Sequence, residues 1–195
     1  MKNITIVKAS RTELHSIRQH LLRLSISDRY LRFCAALSDG AIDTYTGRLT
    51  FTDKDTVYVA VYDDANVVGM LHVAIDAANT AEFALSVDEQ WRKHGIGDAL
   101  FDKGIQQCCE CGITQVYMSC LASNVAIKRM AHKRGMTITT DYGESVARLK
   151  LADRKSVLDW LASTNTIGLY DSGCKMYAAA MVEYMAAVKK QAGIR

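Results

Sequence analysis

Alternation of apolar and polar positions opens the chain, so that Ile4 to Ala9 reads as a strand. Ser10-Arg11-Thr12-Glu13 then places a hydroxyl at a helix start, after which Leu14, Ile17, Leu21 and Leu22 recur at helical spacing. A less regular helical region runs from about Asp28 to Leu49 with Tyr30, Leu31, Phe33, Leu37 and Ile42 as its apolar positions, and Gly40 is expected to break it. Val57 to Tyr62, Val67 to Ile75 and Ala81 to Val87 read as strands. The turn-rich Asp63-Asp64-Ala65-Asn66 joins the first two as a hairpin, and Asn79-Thr80 turns the chain into the third, giving an antiparallel meander.

The period changes after the meander. From Gly95 to Gly112, Phe101, Ile105 and Cys108 mark one helical stripe, widened by Ile96 and Leu100, and Gly112 stands where a helix-ending glycine belongs. Gln115 to Leu121 reads as a strand, and Asn124 to Arg134 as a short basic helix capped by Ser123 or Asn124 and ended by Gly135. Met136 to Thr140 and Ser145 to Leu151 form a hairpin around Asp141-Tyr142-Gly143-Glu144. The order strand, helices, meander, helix, strand, helix, hairpin predicts an α+β (mixed α/β) domain whose central sheet is mostly antiparallel and flanked by helices. Residues 152–195 stand apart as a helical extension, with stripes at Val157, Leu158, Trp160, Leu161 and at Tyr177, Ala180, Met181, Tyr184, Val188. That extension either packs on the domain over residues 1–151 or forms a homodimer contact.

Composition narrows this picture. The 195 residues suffice for one well-buried domain without metal or disulfide staples, and the absence of proline excludes proline-rich linkers and cis-proline turns. A net charge of +3 argues against a broad nucleic-acid or membrane surface, so any anion site must be local. The six cysteines do not suggest a disulfide framework, because Cys108, Cys109 and Cys111 crowd together and Met1-Lys2-Asn3-Ile4-Thr5 has no apolar signal-peptide core. Reduced thiols in the cytoplasm are expected. The apolar run from Met176 to Met185 contains Glu183 and is far shorter than the ~20 residues a membrane span needs.

Chemistry concentrates between Ala81 and Leu100, where a strand feeds a basic, glycine-containing turn that becomes the first turn of a helix. Such a turn suits an anion, since the first helical N–H groups have no internal partner and the helix dipole favours negative charge there. Arg92, Lys93 and His94 add side-chain donors. No Gly-Lys pair is present, which excludes a phosphate loop of the Walker type, and Leu100 stands where a dinucleotide fingerprint needs its third glycine. Cys108-Cys109-x-Cys111 lacks a partner pair at ligand spacing, so no metal is expected. Ser119 and His132 do not sit in a nucleophile elbow, and His72 is read as a strand or core histidine.

Arg92-x-x-Gly95-x-Gly97 at the end of the strand closing on Leu85-Ser86-Val87, followed by Asn124, Met130, Gly135 and Met136, resembles the GNAT superfamily of N-acetyltransferases over roughly residues 4–151. Ala81-Glu82-Phe83-Ala84 and Asp28-Arg29-Tyr30-Leu31-Arg32-Phe33 are similar to the bacterial branch that includes protein-lysine acetyltransferases. The resemblance implies transfer of an acetyl group from acetyl-CoA to a primary amine, on a small molecule or a protein lysine, by direct attack in a ternary complex. It implies cofactor contacts from Leu85, Ser86 and Val87, from Arg92, Lys93, His94, Gly95, Ile96, Gly97 and Asp98, and from Asn124. Glu82 shares a strand face with Ala84 and Ser86, and by resemblance it is the general base.

Ala131 occupies the position at which many such enzymes carry the tyrosine that protonates the departing thiolate, leaving water, Tyr117 or Tyr142 as candidates. Lys128, Arg129, Lys133 and Arg134 form either a solvated face or a contact for the 3'-phosphate. The rival readings are a regulatory module that binds acyl-CoA without turnover and a dinucleotide binder stabilised by NAD but not by CoA.

Overall fold

In the computed structural model, which describes residues 4–63, 66–76 and 78–151, the strands are β1 (Ile4–Lys8), β2 (Asp55–Tyr62), β3 (Asn66–Ile75), β4 (Thr80–Val87), β5 (Gln115–Leu121), β6 (Thr137–Asp141) and β7 (Glu144–Lys150). The helices are α1 (Leu14–Arg23), α2 (Ile26–Phe33), α3 (Asp39–Gly47), α4 (Ile96–Glu110) and α5 (Val125–Lys133). All seven strands join one sheet in the order β1-β2-β3-β4-β5-β7-β6. Every neighbouring pair is antiparallel except β4 and β5, which are parallel and linked through α4. The mixed sheet follows from this connectivity, because the tight turns can only return a strand antiparallel, whereas the parallel β4–β5 pair needs the long crossover that α4 supplies. The two helices expected in residues 152–195 lie outside the described residues.

Local chemistry sets the element ends. Ser10 and Glu13 form a capping box at the short 3-10 turn Arg11–Glu13 that leads into α1, with Ser10 N donating to Glu13 Oε2 at 2.7 Å. The β6–β7 hairpin turns on Tyr142 and Gly143, whose φ angles of 43° and 86° are both positive, as a two-residue turn matched to strand twist demands. Gly40 does not break the early helical region. The break is at residues 34–38, where Cys34 takes a left-handed φ of 53° and ends α2, and Ser38 accepts from Ala41 N at 3.3 Å and starts α3. A hydroxyl cap outcompetes a glycine, which a first helical turn tolerates.

Two apolar layers flank the sheet. On one face α4 buries Ile96, Leu100, Phe101, Ile105 and Cys108 against Leu71, Val73, Ala81 and Phe83. On the other, Ile17 and Leu21 of α1 and Ile42 of α3 pack on Val57, Val59 and Met70. Cys108 is buried, Cys109 half-buried and Cys111 exposed, so these three thiols diverge.

The basic α5 is not a uniform solvated face. Arg134, just past its end, is 4 % exposed, lies 4.5 Å above the Phe101 ring and bridges Asp98 at 2.6 Å and Asp102 at 3.1 Å. Lys133 reaches Asp98 Oδ2 at 3.1 Å and Lys128 donates to Ala122 O at 3.1 Å. Two carboxylates on α4 recruit Arg134 and Lys133, a pairing that helical spacing along α5 does not reveal.

Candidate active site

The pairing of β4 with β5 is short. Thr80, Ala81 and Glu82 face Gln115, Val116 and Tyr117, and beyond Glu82 and Tyr117 the strands part. On its other edge β4 stays paired with β3 as far as Val87. Asp88 N donates to Val68 O and Thr80 O accepts from Asp76 N, so even-numbered residues of β4 turn their backbone groups toward β3. By the same alternation Leu85 and Val87 turn theirs into the gap. Ser86, expected to contribute backbone contacts, directs its backbone to β3 instead.

Side chains alternate the other way. Glu82, Ala84 and Ser86 stand opposite Ala74, His72 and Met70, on the face covered by α1 and α3, while Phe83 points to α4. Half-buried Glu82 accepts from the Tyr117 hydroxyl at 3.4 Å, and burial together with the Glu82 charge pushes the Tyr117 phenol up, keeping it a donor. Tyr142 is fully exposed on its turn, and Ala131 is completely buried.

The loop after β4 bends through Lys93, at φ 63°, and Gly95, at φ 79°, into α4. Ala99 N makes the first intrahelical bond, to Gly95 O at 3.0 Å, so the N–H groups of Ile96, Gly97 and Asp98 precede the ladder and are aimed out of the helix. An anion fits this end. Arg92 is already engaged: its Nε donates to Val87 O at 3.1 Å and its guanidinium meets Asp28 Oδ1 at 2.6 Å, tying the strand end to α2. Lys93 and His94 are exposed, and His94 Nδ1 sits 2.7 Å from Arg92 O. The Asp98 carboxylate faces Arg134 and Lys133; burial pushes it up, but both cations outweigh burial and hold it below the ordinary carboxylate range. Asn124 caps α5 through Ile127 N at 3.2 Å and donates to Leu31 O at 3.4 Å, which brings α2 over the gap. Asn124 thus positions two elements around the cleft.

His72 is a hub. Its Nε2 meets Asp55 Oδ1 at 2.5 Å and its Nδ1 meets the Tyr45 hydroxyl at 2.8 Å, while Arg32 donates to that hydroxyl at 3.0 Å. Burial pushes the His72 imidazole down, so it is neutral near pH 7, with the proton on Nε2 toward Asp55.

A second histidine was not singled out in the sequence. His20 of α1 is completely buried, its Nε2 2.8 Å from Ser86 Oγ and its Nδ1 2.8 Å from Asp88 Oδ1. Arg23 continues the series to Asp88 Oδ2 at 3.0 Å and to Val67 O at 2.6 Å. Burial pushes the Asp88 carboxyl up, yet His20 and Arg23 hold it below the usual range. The available signal was a polar residue on the apolar stripe of α1 formed with Ile17, Leu21 and Leu24; its partners lie more than sixty residues away.

Among solved structures the fold is similar to the GNAT domain of PAT from S. lividans, at 18% identity and a TM-score of 0.66, covering 75% of this chain and 89% of that one. It is also similar to the PaiA N-acetyltransferase from Thermoplasma acidophilum in complex with coenzyme A, at 16% identity and a TM-score of 0.60, covering 76% and 99%. A third likeness is to yncA from Salmonella typhimurium with its cofactor acetyl-CoA, at 17% identity and a TM-score of 0.60, covering 78% and 96%. None of the curated proteins matches the sequence, and no helix among the described residues is long and apolar enough to cross a membrane. The model of the acetyltransferase (GNAT) family matches residues 20–136, from α1 through α5, which spans the parted strands and the anion loop. The chain belongs to the GNAT family, acetyl-CoA-dependent N-acyltransferases.

Proposed function

We propose that this protein acetylates a primary amine by direct attack in a ternary complex, with Glu82 as general base. One observation carries the reading: the gap between β4 and β5 begins at the Glu82–Tyr117 rung, so the half-buried carboxylate sits at its throat. The residues present fit acetyl-CoA, since a strand edge with free backbone groups leads to a helix start with free N–H groups. When bound there, acetyl-CoA supplies an activated acyl group.

The chain's own residues divide the work. Ile96, Gly97 and Asp98 hold the pyrophosphate through their N–H groups, with Gly95 shaping the turn and Lys93 and His94 adding charge beside it. Arg92 shapes this end by fastening Val87 to Asp28. Leu85 and Val87 extend backbone donors along the gap and polarise the thioester carbonyl. An amine with an ordinary lysine-like pKa of about 10.4 is protonated at neutral pH, so Glu82 takes a proton before the nitrogen attacks. The Tyr117 hydroxyl fixes the carboxylate's orientation.

A protein lysine as acceptor is supported by the Ala81-Glu82-Phe83-Ala84 segment and by the likeness to the S. lividans PAT domain. Small-molecule amines remain the other acceptor class. The test is thiol release from acetyl-CoA over a panel of amines and lysine-bearing proteins, alongside CoA binding by calorimetry. Turnover with at least one amine is expected. CoA binding without turnover on any acceptor establishes a regulatory acyl-CoA module instead, and stabilisation by NAD without CoA binding overturns both.

A further inference from the structure

The Ser86–His20–Asp88 series has no part in the reaction derived so far, and the reaction still lacks a donor for the departing thiol. Ala131 is buried without a titratable group, Tyr142 stands in solvent, and the Tyr117 hydroxyl is turned to Glu82. The series resembles a proton wire in its burial. Ser86 is 9 % exposed, His20 0 % and Asp88 8 %, so the imidazole is dry and its two partners nearly so. Ser86 also lies between Leu85 and Val87, the two residues whose backbone faces the gap.

The geometry points to Ser86 as the catalytic proton donor of the transfer, delivering its hydroxyl proton to the departing CoA sulfur, with His20 supplying its replacement and Asp88 holding the imidazole as its counter-ion. This rests on the acetyl-CoA reading of the same site. As the bond from nitrogen to the acyl carbon forms and the carbon–sulfur bond breaks, the electron pair goes to sulfur. Sulfur takes the Ser86 proton, and Ser86 takes the proton from Nε2 of a cationic His20, which becomes neutral. The proton that Glu82 removed from the amine leaves to solvent; Nδ1 keeps its proton toward Asp88 throughout, and once CoA has left, Nε2 regains one from the cleft through the Ser86 hydroxyl. Asp88 is the counter-ion that makes a cationic imidazole tolerable in a fully buried position. The orientation matters: a cationic His20 donates to Ser86 Oγ and leaves the hydroxyl hydrogen free for the gap, whereas a neutral ring protonated at Nδ1 holds that hydrogen on itself.

Among the described residues, the charged side chain that meets His20 is Asp88. On α1 itself Arg23 backs Asp88.

The experiment compares two donors in the wild type, Ser86→Ala and Tyr117→Phe: acetyl-CoA and its seleno analogue, whose more acidic selenol departs as the anion. Ser86→Ala lowers kcat with acetyl-CoA about a hundredfold but with the seleno analogue by less than about threefold, a split that a merely structural clip between α1 and β4 does not produce. The dissociation constant for CoA stays unchanged. In the protein without ligand, nitrogen-15 histidine NMR reads the His20 midpoint, which coincides with the alkaline limb of kcat/KM; both move together in Asp88→Asn. Equal losses on the two donors, an unchanged kcat, transfer of the split to Tyr117→Phe, or a limb that stays while the His20 midpoint moves each overturn the proposal. Absence of CoA binding or of turnover in the wild type overturns the acetyl-transfer reading instead.

Discussion

Glu82 and Tyr117 form the last rung of the parallel pairing between β4 and β5, and the Tyr117 hydroxyl donates to Glu82 Oε2 at 3.4 Å. The strands separate immediately beyond it, so the rung closes one end of the cleft. Replacing Glu82 by Gln keeps the shape and the hydrogen bond but removes the base. The expected outcome is a kcat at least about tenfold lower with CoA affinity unchanged, read by thiol release and calorimetry. A proportional loss of CoA binding would place Glu82 in the cofactor contacts and not at the proton.

Arg134 is the fixed point behind the anion loop, because it ties Asp98 in the first turn of α4 to Asp102 one turn on. Arg134→Met leaves both carboxylates without the guanidinium in a site where Asp102 is 2 % exposed. A buried ion pair broken on one side costs about 3–5 kcal/mol, and that loss is expected in urea unfolding at pH 7. Adding Asp102→Asn to the variant recovers part of it.

His72 carries a pH dependence whose sign follows from its surroundings. Burial lowers the folded imidazole below its ordinary value of 6.5, so the unfolded chain binds more protons on the way down in pH. The stability from the Tyr45–His72–Asp55 chain is complete above that value and is lost as the pH falls through the lowered one. Denaturant midpoints measured from neutral toward acidic pH therefore fall, and His72→Gln flattens the part of the slope just below pH 6.5.

Gly104 lets α4 approach the sheet. A Cβ there would come within 2.6 Å of Leu71 and 2.7 Å of Phe83, both fully buried. Alanine is the better helix former by about 1 kcal/mol, but overpacking of two immobile side chains outweighs that preference. Gly104→Ala is expected to lose about 1–2 kcal/mol in chemical denaturation, and a gain would show that α4 can shift outward freely.

Short-range chemistry was legible along the chain: the Ser10 cap, the hairpin at Asp141 to Glu144, the meander and the helix ending at Gly112 depend on residues a few positions apart, and pattern reports them. The turn from Arg92 to Gly97 was legible for the same reason, since a helix start with free N–H groups is a local structure. Tertiary packing decided the rest. Gly40 lost to Ser38 and Cys34 as the boundary of α3 and α2, because caps are made by side chains that only the folded loop orients. Arg134, one of four basic residues that look alike in sequence, was singled out by two carboxylates on another helix. His20, Ser86 and Asp88 met because α1 packs across β3 and reaches the end of β4, and their separation in sequence hides that contact from any periodicity. Hydrogen bonding between neighbours along the chain is written in residue order, whereas the pairing of buried charges is written in the crossing of elements, where the cost of an uncompensated group leaves only a few arrangements standing.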